Sequence, residues 1–425
     1  MRLDPEAAPA GAASADARPL PLPATAPLSA GMIFLFAVAS GLAVANAYFA
    51  QPLLDIIADE LKLSRATVGL IVGATQLGYG LGLILLVPLG DLVDRRKLVV
   101  LQSLLSVAAL IGVALSASGA MLLVAMAVMG FLAVVTQAFV AYAASLARPE
   151  ERGQVVGAVT SGIVLGILLA RAIAGAMADL SGWRAVYLLS AGATLIIAIV
   201  LFKALPPGRK TPAQLSYPRL IASLFALFRE EKVLRIRAII AMLIFADVTT
   251  LLTPLVLPLA APPFSLSHTA IGLFGLAGAA GALGASRAGA WTDRGHGQRV
   301  TGIALALMLL AWLPIGLLPQ SILFLIAGVL ILDFGLQAVH VTNQAMIYRV
   351  RPEAQSRLTA GYMVFYSIGS AFGSSSSTLV YAYAGWTGVS LLGAAIAAIA
   401  LIFWSATLKA MPIEATRAIA RGQAR

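Results

Sequence analysis

The chain alternates long apolar runs with short polar breaks, and the runs share a length. Crossing hydrocarbon as a helix takes about 20 apolar residues. Twelve runs meet that length, at approximately 31–53, 66–89, 97–117, 119–146, 153–178, 185–205, 236–258, 268–290, 298–317, 320–347, 358–383 and 387–408. The longest polar connection, 206–235, holds Pro206-Pro207, Arg209, Lys210 and a surface helix near Pro218–Lys232, and it leaves six spans on each side. The predicted fold class is an all-α polytopic membrane protein with 12 transmembrane helices in two pseudo-symmetric six-helix bundles. The bundles occupy 30–205 and 236–408, joined by a cytoplasmic linker at 206–235 and followed by a cytoplasmic tail at 409–425. Residues 1–29 are rich in Ala and Pro and carry Asp4, Glu6 and Asp16. They lack the basic start and short apolar core of a secretory signal, so a disordered cytoplasmic tail is expected.

Polar positions between the runs repeat. Gly90-Asp91-Leu92-Val93-Asp94-Arg95 follows the second run and Gly289-Ala290-Trp291-Thr292-Asp293-Arg294 the eighth, 199 residues apart. At an offset of 203, Arg148-Pro149-Glu150 answers Arg351-Pro352-Glu353, and Gly182-Trp183 answers Gly385-Trp386. Six spans per half is an even number, so both halves enter from the same side and the repeat is parallel, one of the known transporter plans.

Composition supports lipid as the main solvent: 60% of the 425 residues are hydrophobic and only 11% charged, against about 25% charged in soluble domains. With no cysteine in the chain, thiolate metal sites and disulfides are excluded. The net charge of +11 is not a nucleic-acid footprint, because Lys and Arg fall in short clusters between apolar runs, with no basic stripe interleaved with aromatics. The clusters set orientation instead. With the N-terminus inside, the outer loops hold only Lys62, Arg65 and Arg184, Arg171 lies within a span, and the remaining basic residues lie inside or at inner helix ends. Both termini are expected in the cytoplasm, with the protein multi-pass in the cell inner membrane.

On these residues the chain resembles the major facilitator superfamily of secondary transporters over all twelve spans. The family's signature after span two is roughly Gly-x-x-x-Asp-Arg-x-Gly-Arg-Arg. Gly90, Asp94 and Arg95 match it, while the ending is compressed to Arg96-Lys97; the second copy keeps Gly289, Asp293, Arg294 and Arg299. The resemblance implies that Gly90, Asp94, Arg95, Arg96, Gly289, Asp293 and Arg294 latch the halves together when the transporter faces outward. The physical basis is a carboxylate at a helix end set against a neighbouring helix N-terminus, with arginines beside it able to reach the other half. Ala45-Asn46-Ala47-Tyr48-Phe49-Ala50-Gln51-Pro52-Leu53-Leu54 resembles the first span of bacterial drug:proton antiporters, the drug and metabolite exporters. Gly162 to Arg171, then Gly175, stand where those antiporters carry a Gly-rich motif, with Ala170-Arg171 in place of the usual Gly-Pro. The basic residue common in their fourth span is missing here, since 119–146 is uncharged.

Ionisable groups inside the spans are few, and each costs about 2.5–3.5 kcal/mol at mid-membrane on insertion scales. Arg171 lies in the outer half of span five and Asp247 near the middle of span seven; Arg287 is near enough to an inner end to snorkel. In span ten, Asp333, Gln337, His340 and Gln344 are spaced by four, three and four, which puts them on one helix face, with Asn343 at its edge. Such a stripe must face protein or water. Since the family's first, fourth, seventh and tenth spans line its central cavity, the resemblance brings Asn46, Gln137, Asp247 and the Asp333 stripe together there, and with Gln51 and Arg171 they make the expected substrate and proton pathway. Asp333 and Asp247 are candidate proton carriers, because desolvation favours the neutral carboxyl. His340 is a candidate relay, and Arg171 a partner for a carboxylate or for an anionic substrate group. Interhelical hydrogen bonds and a structural ion pair would explain the same residues.

The expected function is secondary active export of small drug- or metabolite-like molecules, by proton antiport and alternating access. The alternative is uptake or facilitated diffusion of a small metabolite, an anion if Arg171 is a ligand. No enzyme is expected: the chain has three histidines and neither a His-Glu-x-x-His nor a Gly-x-Ser-x-Gly motif. With no phosphate-binding Gly-rich loop, ATP-driven pumping is not expected either. The expected partners are a small-molecule substrate, protons and the bilayer, with no nucleic acid, no cofactor beyond the proton gradient, and a monomeric state.

Overall fold

The computed structural model describes residues 28–148, 150–206, 216–351 and 354–411, and there the apolar runs are helices. The expected tails at 1–27 and 412–425, Pro149, Pro352-Glu353 and the Arg209-Lys210 part of the linker lie outside the described residues. Spans one to six are Ala30–Ala45, Leu70–Leu85, Arg95–Ala114, Gly119–Leu146 with a break at Val134, Arg152–Ser181 and Trp183–Ala204. Span seven is Lys232–Leu252, span nine Gly297–Gly316 and span ten Ile322–Tyr348. Span eight is segmented into His268–Leu273, a tight turn at Phe274–Ala277 and Gly278–Trp291. Spans eleven and twelve run together as Gln355–Thr407.

By length and apolarity alone, nine helices among the described residues could cross a membrane. The difference from twelve has local causes. Span one is 16 residues long before its turn at Asn46, span eight is broken by its glycines, and spans eleven and twelve are joined through Gly385.

The glycine of each Gly-Trp echo has a backbone reason. Gly182 (φ 80°, ψ 163°) and Gly385 (φ 59°, ψ −157°) occupy a region open essentially to glycine. Each lets the chain reverse between two spans with no loop, and each following tryptophan tucks inward. Trp183 Nε1–H donates to Glu60 Oε2 at 2.6 Å and Trp386 Nε1–H to the Ile315 carbonyl at 2.8 Å. The Asp-Arg echo is less equal. Asp94 is the N-cap of span three, accepting from the Arg96 and Lys97 N–H groups at 2.8 and 3.3 Å. Asp293 instead lies in a wide turn, Thr292–His296, and pairs with Arg349 at 3.0 Å.

Packing repeats as well. Gly41, Gly162 and Gly166 bring spans one and five into backbone contact, and Gly369 and Gly373 do the same for spans eleven and seven. Gly78, Gly82 and Gly130 join spans two and four, as Gly281 joins eight to ten. Without a hydrophobic drive between helices in lipid, such small-residue contacts are what packing can use.

Two seams join the halves. Spans two and eleven meet through Gly69, Gly73 and Gly80 against Thr378, Ser375 and Ser367, and continue through Leu83 and Val87 to Met363 and Val364. Spans five and eight meet through Gly175, Gly272 and Gly275, where any side chain would collide with the backbone of His268 or Arg171 or press on the Arg171 side chain. The rim bearing Gly182 and Gly385 is called the far face below, and that bearing Asp94-Arg95 and Asp293-Arg294 the basic face. Among the described residues, the five–eight contacts lie toward the far face. Toward the basic face, the same side of span five lines a groove of about 670 Å³ through Leu168, Leu165, Ser161, Gly157, Val156 and Gly153.

Candidate functional site between the halves

Where the two seams converge, side chains from both halves meet. Arg171 leaves span five beside the closed part of its seam. Its Nε–H donates to Gln51 Oε1 at 2.6 Å, and its guanidinium lies over the Tyr48 ring, 5.0 Å from the centroid. A Cβ on Gly275 would lie 3.1 Å from Arg171 Cβ and Cδ. One turn on, a Cβ on Gly278 would lie 3.8 Å from Asp333 Oδ2, and one on Gly281 would meet Gln337 Cγ at 2.8 Å. The glycine-rich side of span eight thus clears a trough in which Arg171, Asp333 and Gln337 follow one another. Arg171 and Asp333 come from opposite halves, and among the described residues no ion pair joins them.

From Tyr48 an aromatic chain continues into the C-terminal half. The Tyr48 and Tyr366 hydroxyls are 2.6 Å apart across the halves. Tyr366 packs edge-on against Phe245 at 4.1 Å and Phe245 against His340 at 5.3 Å. His340 Nδ1 is 2.9 Å from the Tyr362 hydroxyl, which also accepts from Asn343 at 3.4 Å. Arg237, fully buried, then donates to Asn343 Oδ1 at 3.1 Å and Thr301 Oγ1 at 2.9 Å. On the other half, Gln137 donates to the Tyr79 hydroxyl at 3.4 Å.

Gln51, Gln137, Arg171, Asp333, Gln337 and His340 therefore lie along this central layer. Asp333, Gln337, His340 and Gln344, placed on one face of span ten by their spacing, are all half-buried. Asn343 is fully buried within its own bundle. Two residues do not join the layer. Asn46 accepts from Ser190 of span six at 2.6 Å, inside the N-terminal bundle. Asp247 accepts from Trp312 Nε1–H at 2.8 Å, buried between spans seven and nine, with no hydrogen bond to its Oδ2.

The latch residues make their described contacts within their own halves. Arg95 donates to the carbonyls of Gly90 at 3.2 Å and Ala141 at 2.8 Å; Arg96 donates to the Phe202 carbonyl and lies over that ring. Gly289 sits beside Val341, Asp293 pairs with Arg349, and Arg294 is exposed.

The sequence matches the Major Facilitator Superfamily over residues 33–299 and 238–425. The chain belongs to this superfamily. It is 48% identical over 377 residues to the putative uncharacterized transporter YgaY of Escherichia coli K12, covering 89% of this chain and 95% of that one. A probable sugar efflux transporter of Helicobacter pylori G27 is 22% identical over 383 residues, covering 88% and 93%. Among solved structures, an inward-facing, occupied bacterial homologue of the lysosomal transporter Spinster has a TM-score of 0.75 at 14% identity, covering 90% and 97%. The nucleoside transporter NupG has a TM-score of 0.72 at 15% identity, covering 89% and 100%; both likenesses are of fold. Membership makes the chain a membrane transporter of small molecules. Tyr79, Phe245, Tyr362, Tyr366 and Arg237 are residues of this layer that the hydrophobic pattern did not single out. The four-residue spacing of Tyr362 and Tyr366 on span eleven was the available signal.

Proposed function

We propose that this transporter exports drug- or metabolite-like molecules across the cytoplasmic membrane in exchange for protons, with its basic face in the cytoplasm. One observation carries the reading: Arg171 and Asp333, from opposite halves, share a glycine-cleared trough without pairing. A carboxylate there has two partners to choose between, a proton and a guanidinium, and substrate entering the trough changes which one is favoured. The groove along span five gives cargo a path from the basic face to Leu168, one turn from Arg171. The aromatic faces of Tyr48, Tyr366 and Phe245 supply contact area for an apolar or amphipathic body. The far face is shut by both seams, so this arrangement is the inward-facing half of the cycle. The efflux named for the Helicobacter pylori relative fits the same direction.

Arg171 favours a second reading. A guanidinium fixed by Gln51 and Tyr48 can also receive a carboxylate, which fits uptake or facilitated diffusion of an anion. Reconstituted liposomes with an imposed pH gradient separate the two. Under proton exchange, Asp333→Asn lowers gradient-driven flux of cationic or neutral compounds more than tenfold and keeps exchange of the same compounds at zero gradient. Flux of anions without proton movement, abolished by Arg171→Gln and untouched by Asp333→Asn, would replace the first reading with the second.

A further inference from the structure

At the far face, three ionisable side chains from three helices meet across the five–eight seam. His268 opens the first helix of span eight, directly after its N-cap Ser267. Its Nε2 lies 3.1 and 3.0 Å from the carboxylate oxygens of Asp55, on the Leu54–Leu61 helix that follows span one. Its Nδ1 lies 2.9 Å from Asp179 Oδ1, in the last turn of span five. Both carboxylates belong to the N-terminal half and the imidazole to the C-terminal half.

The contacts themselves fix the charge state. A neutral imidazole has one N–H, so its other nitrogen would turn a lone pair toward a carboxylate; only the imidazolium donates on both sides. Asp179 is oriented further by span eight, accepting from the His268 and Thr269 N–H groups at 3.2 and 2.8 Å and from the Thr269 hydroxyl at 2.6 Å. Side-chain exposures of 17% for His268, 18% for Asp55 and 27% for Asp179 leave water enough to deliver a proton. Other charges nearby are engaged elsewhere or turned away. Glu60 is held by Arg184 and Trp183, Asp59 is exposed, and the adjoining Gln51–Leu53 and Val256–Ala260 segments carry no charge.

We propose that His268, Asp55 and Asp179 form a proton-binding lock on the far-face gate: a proton held by the three keeps the halves together there, and its release lets them part. Calling that gate extracytoplasmic rests on the orientation proposed above; the lock does not, and it uses neither Arg171 nor Asp333. The signs follow from linkage. Closure binds the proton more tightly than the open gate does, so protons favour closure to the same extent. The lock is complete in mildly acidic solution and weakens as pH rises and the imidazolium gives up its proton.

The chain has no cysteine, so spin labels can be placed directly. Leu180→Cys, at the far end of span five, and Leu323→Cys, at the start of span ten, are 79% and 70% exposed and lie on opposite halves. Pulsed electron spin resonance in nanodiscs, with both faces at one pH, should give a single short distance at pH about 5.5. A longer population should grow at least fivefold by pH about 9.5. His268→Gln should show the longer population at both values, and His268→Arg, always charged, the short one throughout. Identical distances at both pH values in the parent, or an undiminished response in His268→Arg, would overturn the lock. Should His268→Gln not fold, those two series decide the matter alone. A transporter with a working lock but no gradient-driven flux would sink the exchange reading and leave the lock standing.

Discussion

Asp94 shows how one side chain can hold two roles that are separable by experiment. Its carboxylate caps span three, and a cap of this kind is worth roughly 1 kcal/mol, with Asn nearly as good as Asp and Ala much worse. Asp94→Asn is expected to keep the thermal midpoint of the protein, and Asp94→Ala to lower it by an amount matching about 1 kcal/mol. If the charge also latches the halves in the other half of the cycle, both substitutions shift the opening equilibrium alike in a distance measurement across the basic face. A shift confined to the alanine variant would leave Asp94 a helix cap alone. At the trough, Gly278→Ala should be tolerated, because the atom it meets is the far end of Leu168. Gly278→Leu would fill the space between Arg171 and Asp333, and substrate flux is expected to fall more than tenfold with the fold intact by circular dichroism.

Helices were the most legible level. A run of about 20 apolar residues has few alternatives in lipid, and the polar breaks between runs carried the duplication. Which way a helix turns its polar residues was legible only where several of them repeat. The stripe from Asp333 to Gln344 declares a side of span ten; lone Asp247 and Asn46 do not, because lipid and bundle core are equally apolar neighbours. Their turn toward Trp312 and Ser190 could be seen only in three dimensions. Tyrosine and phenylalanine count as apolar in any hydrophobic pattern, so the chain from Tyr48 to Tyr362 was hidden for the opposite reason. The Gly-Trp echoes looked like a mark of ancestry and are also a backbone device. Gly385→Ala or Gly182→Ala should each cost about 1–3 kcal/mol from the strained backbone alone, measurable as a lower thermal midpoint. Alanine at the nearby Gly192, where a Cβ would have open space, serves as the control.

For the whole molecule, the two seams between the halves are not equivalent. Spans two and eleven stay in contact from Gly69 to Val87, whereas the contacts of spans five and eight among the described residues end at Leu168. The halves are therefore parted on one flank, like a book held along its spine, with the groove on span five as the open edge. In membrane terms, the groove of about 670 Å³ on span five adds cross-section in the leaflet around the basic face. Reversing the cycle must return that area to one leaflet and take it from the other. A bilayer, like any ligand, biases an equilibrium only by interacting differently with its two states. Here that difference is mechanical work against lateral pressure, so the packing and shape of the surrounding lipids set part of the balance between the two access states.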